Sequence, residues 1–170
     1  MELFDISFTG HRKIVLSDWS GINAGLSILE QESDATAFHT GGARGFDTAV
    51  FRRLGFHPFA INKLHIPFTY QWVELQQALG KSAAEITDYM AALCTECGPT
   101  VYHSSLKQLY LKRDRHMVDE SKLLVCYYNG LPGGTEYTIN YAKKQGVPVI
   151  DIRELTVDNL RERAEEARRR

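Results

Sequence analysis

The stretch KLLVCYYNGLPGGTEYTINYAKKQG, residues 122–146, decides how the chain is read. Its first part, KLLVCYYNG, is apolar, partly aromatic and closed by Asn129 and Gly130, the pattern of a buried strand. GTEYTINYAKKQG follows as a helix with Gly146 as its stop, and the glycine-bearing turn NGLPGGTE joins the two. The unit is therefore strand, loop, helix.

The same unit recurs toward the N-terminus. LFDISFTG is a short apolar run ending in Gly10, and WSGINAGLSILEQ carries Ile22, Leu26 and Leu29 at helical spacing. ATAFHTGG reads as a second strand, and GFDTAVFRRLG places Phe46, Val50, Phe51 and Leu54 on a helix ended by Gly55. NKLHIPF is a weaker strand, limited by Pro67. Residues 70–93 read as helical in two pieces, and TVYHS as a short strand. LKQLYLKRDRHMVDES carries Leu106, Leu109, Tyr110, Arg113, Met117 and Val118 along one side of a helix. VPVIDI is a final strand, and a charged helix runs from about residue 156 to the end. No hairpin signature interrupts the alternation. The predicted fold is α/β: a Rossmann-like three-layer sandwich, with a mostly parallel central sheet and helices on both faces. No linker or repeat divides residues 1–170, which are read as one domain.

Composition narrows the function classes. The 170 residues are 44% hydrophobic and 24% charged, an ordinary balance for a folded globular chain. A formal net charge of -1 supplies no global basic field for nucleic acid. No apolar run approaches the roughly 20 residues that span a bilayer, and MELFDIS lacks the order of a signal peptide, so a cytoplasmic location is expected and no membrane partner. Cys94, Cys97 and Cys126 form no disulfide framework. The CTEC pair follows a helical pattern, where the helix dipole disfavours a reactive thiolate, and His103 is the only further zinc ligand nearby. Packing at a helix end is the expectation, with no metal and no cofactor. The mixed-sign tail RERAEEARRR reads as a solvated helix, with a basic anchor as the alternative.

In an open parallel sheet, ligands bind beyond the carboxyl ends of the strands. TGHR, TGGARGFD and NGLPGGTE all fall there. Glycine lets a ligand approach the backbone, and the following helix offers unpaired amides and a positive dipole end, which favour an anion such as phosphate. Neither GxxxxGK[ST] nor a strict GxGxxG is present, so the chain is neither a standard P-loop enzyme nor a typical dehydrogenase.

FTGHR, GGARGFDTAV, RDRHMVDESKLLVCYYNGLPGGTEYTINYA and their order resemble the SLOG superfamily, which unites DprA/Smf proteins with the LOG phosphoribohydrolases, and within it the small YpsA-like branch. The resemblance runs from Phe8 to about Ile152 and includes IPFTYQW. It implies a nucleotide-type pocket built from Gly10, His11 and Arg12 in the first loop, and from Gly41, Gly42, Ala43, Gly45 and Asp47 in the second. Arg113 and Asp119 on the RDRHMVD helix and Gly133, Gly134 and Thr135 in the last turn complete it. On this basis Arg12 and Arg113 would neutralise phosphate, and the glycine amides and Thr135 would donate hydrogen bonds. Asp47 would accept from a ribose hydroxyl or cap its helix, and Asp119 would bind or merely pair. The expected function is binding of a nucleotide or nucleotide-derived ligand, as a sensor or accessory factor. A LOG-type N-glycosidic hydrolase with Arg113 and Glu136 as its catalytic pair is the alternative, although PGGTEYT is one residue shorter than the LOG pattern and Asp114 stands where a basic residue is expected. A DprA-like role with single-stranded DNA is the third reading, and self-association is left open.

Overall fold

The computed structural model of the protein describes residues 4–41, 44–55, 61–64 and 106–169, with the backbone alone for 61–64 and 106–109. Gly42, Ala43, the helices expected in 70–93, the TVYHS strand, IPFTYQW, the CTEC pair and His103 lie outside these residues.

Strand β1 (Asp5–Gly10) alternates, with Ile6 and Phe8 buried toward one face and Ser7 and Thr9 toward the other. Helix α1 (Trp19–Glu32) buries Ile22, Leu26 and Leu29, as the periodicity predicts. Strand β2 (Ala37–Thr40) leads into α2 (Phe46–Leu54), which buries Phe46, Val50 and Leu54. Strand β3 (Ile61–Leu64) begins one residue before the predicted run. Helix α3 (Leu106–Asp119), strand β4 (Leu123–Tyr127), helix α4 (Gly134–Lys144), strand β5 (Val149–Asp151) and helix α5 (Val157–Arg168) follow.

The described strands form one five-stranded sheet in the order β3-β2-β1-β4-β5, every neighbouring pair parallel. Strand β4 is buried along its whole length because both faces are covered, which explains its unbroken apolar run. Leu123, Val125 and Tyr127 join Ile6, Phe8 and Phe38 under α1, α2 and α5, while Leu124 and Cys126 pack with Val118 of α3 and Ile139 of α4 on the opposite face. Each fully buried Leu, Ile, Val or Phe contributes on the order of 1.5–3 kcal/mol. The α/β three-layer expectation holds.

The charged C-terminal helix corrects one expectation. It is packed on one side: Leu160, Ala164 and Ala167 are buried at i, i+4, i+7, and Arg168 lies 5.4 Å over the Phe4 ring and pairs with Asp34. A capping box starts it, in which Thr156 Oγ1 accepts from the Asn159 amide and Asn159 Oδ1 from the Thr156 amide. Charges on three sides conceal an apolar stripe made mostly of alanine.

The order β3-β2-β1-β4-β5 sends the chain outward from β1 in one direction and then back past it to β4. The loops leaving β1 and β4 thus diverge to opposite faces, and a crevice opens between them at the carboxyl ends of the strands.

Candidate functional site

The first loop is tied to β4. The His11 amide donates to the Tyr127 carbonyl at 3.3 Å, which carries the β1–β4 pairing one residue past the strand. The His11 ring stacks on Tyr128 at 5.6 Å and meets the edge of Tyr127 at 5.9 Å, and no polar atom among the described residues pairs with its buried Nε2. Burial, then the nearby Arg153 guanidinium, push the His11 pKa below its usual value, so the ring is neutral at pH 7. Asp18 accepts from the Tyr127 hydroxyl at 2.7 Å, and that hydroxyl accepts from the Val15 amide at 3.1 Å, which pins the far end of the loop. Arg12 is exposed, with its guanidinium 5.4 Å from the centre of the Tyr110 ring, and no carboxylate pairs with it among the described residues.

The second loop closes on the first. Gly45 adopts φ 81°, and a Cβ there would collide with the backbone of Arg12 and His11. The Phe46 amide donates to the His11 carbonyl at 3.2 Å. Asp47 is buried in the first turn of α2, whose N-cap residue is Gly45.

The third loop is open. Asn129 Oδ1 accepts from the Leu131 amide at 3.1 Å, and Gly133 takes φ 146° before α4 begins. A Cβ on Gly133 would meet none of the described residues within 4 Å. The first helical bond runs from the Tyr137 amide to the Gly133 carbonyl, so the amides of Gly134, Thr135 and Glu136 have no intrahelical acceptor, and no side chain among the described residues caps the turn.

Arg113 is spent inside the protein. It is 7% exposed, its Nε donates to Asp114 Oδ1 at 2.9 Å, its Nη1 donates to the Gly41 carbonyl at 2.7 Å, and Tyr110 lies 5.3 Å beneath it. Gly41 sits where Arg113 and Asp47 converge, because a Cβ there would lie 2.7 Å from Arg113 Cζ and 2.9 Å from Asp47 Oδ2.

Between these loops lies a cleft of about 870 Å³. Of the expected residues, Gly10, His11, Arg12, Asp47, Arg113, Gly133, Gly134 and Thr135 line it. Gly41 and Gly45 support it from behind. Asp119 and Glu136 are placed elsewhere. Asp119 is the last residue of α3, is exposed, and accepts from the Tyr141 hydroxyl at 2.7 Å, while Arg113 lies almost two turns earlier on that helix. Glu136 accepts from the Tyr128 hydroxyl and is not among the lining residues, whereas its neighbour Tyr137 is. The Tyr137 hydroxyl accepts from Arg115 Nη1 at 3.1 Å.

Sequence reasoning missed Thr9, Tyr110, Asp114 and Tyr137 in the lining. Tyr110, Arg113 and Asp114 stand at i, i+3 and i+4 of α3, so helical spacing from Arg113 could have found the other two. Asp114 is 9% exposed and faces the first turn of α4 from 4.0 Å, measured to a Cβ built on Gly134. Among the described residues there is no group of three side chains able to hold a metal ion, and no helix long and apolar enough to cross a membrane.

No protein-family model matches the chain, and no curated protein matches it in sequence. Solved structures of similar fold include two DNA processing proteins. DNA processing protein A (DprA) from Streptococcus pneumoniae superposes with TM-score 0.62 at 15% identity, covering 98% of this chain and 56% of that one. DprA from Helicobacter pylori, described with its mode of binding single-stranded DNA, gives TM-score 0.59 at 15% identity, covering 87% of this chain and 64% of that one. This chain therefore spans less than two thirds of either protein. The sheet order, the helices on both faces and these superpositions together give the chain the Rossmann-like fold seen in the two DprA structures.

Proposed function

We propose that the cleft binds a nucleotide or nucleotide-derived small molecule through its phosphate, in the manner of the YpsA-like branch, as a cytosolic sensor or accessory factor. The observation that carries this reading is the first turn of α4, which is uncapped and open above Gly133. Free amides at a helix start, together with the dipole, favour an anion by about 0.3–2 kcal/mol before any side chain takes part. Arg12 supplies the counter-charge from the other wall of the cleft. Thr135 and Asp47, both in the lining, would meet a phosphate oxygen and a sugar hydroxyl, and the Tyr137 ring would meet a base.

Binding fits the site better than glycosidic cleavage. Such cleavage needs a carboxylate at the glycosidic bond, and Glu136, the one weighed for it, is held by Tyr128 and is not in the lining, while Asp47 is assigned here to a sugar hydroxyl. Asp114 does line the cleft, but its charge is matched by Arg113.

A thermal-shift screen with nucleoside phosphates and the parent nucleosides tests the reading. A ligand of the folded state at 100 times its Kd adds about 2.7 kcal/mol and raises the melting point. The reading expects this from phosphorylated compounds and not from the nucleosides, with no free base released on long incubation. Equal response to both series contradicts it.

A second reading, binding of single-stranded DNA, is favoured by the fold shared with the Helicobacter pylori protein. It predicts affinity that falls steeply with salt and increases with strand length, whereas a pocket for one phosphate has a shallow salt dependence.

A further inference from the structure

The charges of the cleft bear on the form of phosphate it takes. Its described lining sets two arginines, Arg12 and Arg113, against two aspartates, Asp47 and Asp114. His11, also in the lining, adds no charge at pH 7, because burial and the Arg153 guanidinium lower its pKa. The lining side chains therefore offer an anion no surplus of positive charge. What surplus there is comes from the backbone at the start of α4, equivalent to roughly half an elementary charge.

Asp114 limits that surplus further. Its Oδ1 accepts from Arg113 Nε at 2.9 Å, while its Oδ2 is the one described atom within reach of a Cβ built on Gly134, at 4.0 Å. The pair is 7% and 12% exposed at its side chains, so little water screens it. A phosphate on the amides of Gly134 and Thr135 thus meets a buried carboxylate oxygen at close range. Arg12 is the lining cation without a carboxylate partner among the described residues, and its single charge matches a single charge on the ligand. Attraction to Arg12 and to the helix start grows in proportion to ligand charge, but the cost of drawing an ion out of water grows with its square, and Asp114 repels each added charge.

We propose that the cleft takes its phosphate as a diester, with one negative charge, in preference to a terminal monoester, and that Asp114 sets this preference. The second ester group has room over Gly133, where a Cβ would meet none of the described residues within 4 Å. The ligand is then a cyclic or bridged nucleotide, or a nucleotide within a strand. This inference rests on the reading of the cleft as a phosphate site and specifies the phosphate.

The test measures binding by calorimetry at pH 8 for a nucleoside 5′-monophosphate, its methyl diester and its dimethyl triester, which carry about two, one and no negative charges. Affinity should peak at the diester, about tenfold or more above either of the others. Asp114→Asn should tighten the monoester more than the diester and bring the two within about threefold. The double variant Arg113→Gln with Asp114→Asn leaves no charge of the pair stranded, and it should narrow the gap in the same way if the single variant fails to fold. A monoester as tight as the diester overturns this inference and leaves the phosphate reading standing. A preference for the diester that persists unchanged in both variants comes from contact with the methyl group, and overturns the role of Asp114. A triester equal to the diester, or no binding by any of the three, overturns the phosphate reading as well. A ten-residue strand without terminal phosphates separates the two sources of diester. Affinity within about twofold of the methyl diester assigns the site to a small molecule, and affinity that climbs with strand length and falls steeply with salt assigns it to nucleic acid, the diester preference holding in both cases.

Discussion

The two glycine turns that flank the cleft have opposite surroundings. At Gly45 the positive φ is joined to a collision, because a Cβ would strike the carbonyl of Arg12. At Gly133 φ is also positive, but none of the described residues stands within 4 Å of where a Cβ would be. The first glycine is there so that two loops of the protein can touch. The second leaves room for something that is not the protein. The arginines divide the same way, since Arg113 is buried on Gly41 and Asp114 and Arg12 faces solvent without an ion-pair partner among the described residues. Closeness to a glycine loop therefore does not by itself identify a ligand contact; unfilled bonding capacity does.

The contrast can be broken at four points, taken from the largest effect to the smallest. Gly45→Ala combines a left-handed backbone with a clash against main chain, and should cost about 4 kcal/mol or more of stability, read from chemical denaturation. A loss under 1 kcal/mol would mean the two loops are not locked. Arg113→Ala should cost about 3 kcal/mol, because it strands the Asp114 carboxylate in a buried site, and should also weaken phosphate binding by exposing that charge to the ligand. If stability is untouched and only binding falls, Arg113 is a ligand residue and the division of roles given above is wrong. Gly133→Ala has backbone strain without a clash, so about 1–2 kcal/mol is expected in the same measurement.

The smallest effect is a pH dependence. The folded-state pKa of His11 is depressed, so the folded protein keeps the ring neutral where the unfolded chain would protonate it, near pH 6.5. The unfolded state then binds more protons, and stability rises with pH across this window. The contribution is complete above about pH 6.5 and is lost as pH falls toward the depressed value. His11→Phe should flatten that part of the melting profile, and an unchanged slope would show that His11 is not the group responsible.

Much of the fold was legible because its signals are periodic. Ile22, Leu26 and Leu29 mark a helix face without reference to anything distant, and the unbroken LLVCY can only be a strand covered on both sides. Helix α5 was read as solvated because Ala164 and Ala167 carry little hydrophobic signal, although they pack tightly. The cleft was legible as far as three glycine loops at one sheet edge could take it. Orientation was not. Whether Arg113 turns inward depends on Gly41, 72 residues away, and whether Glu136 reaches the cleft depends on Tyr128 capturing it first.

The central claim is that the turn at Gly133 is open for a phosphate while the turn at Gly45 is closed by the protein itself. Backbone amide shifts followed by NMR during titration with a nucleoside monophosphate test it most directly. The account predicts the largest changes at Gly134 and Thr135 with a companion change at Arg12, small changes at Gly45 and Phe46, and loss of most of the response in Arg12→Ala, with about 1.5–3 kcal/mol of binding energy gone. Changes concentrated at Gly45 and Phe46, or the same pattern and affinity in Arg12→Ala, would contradict it.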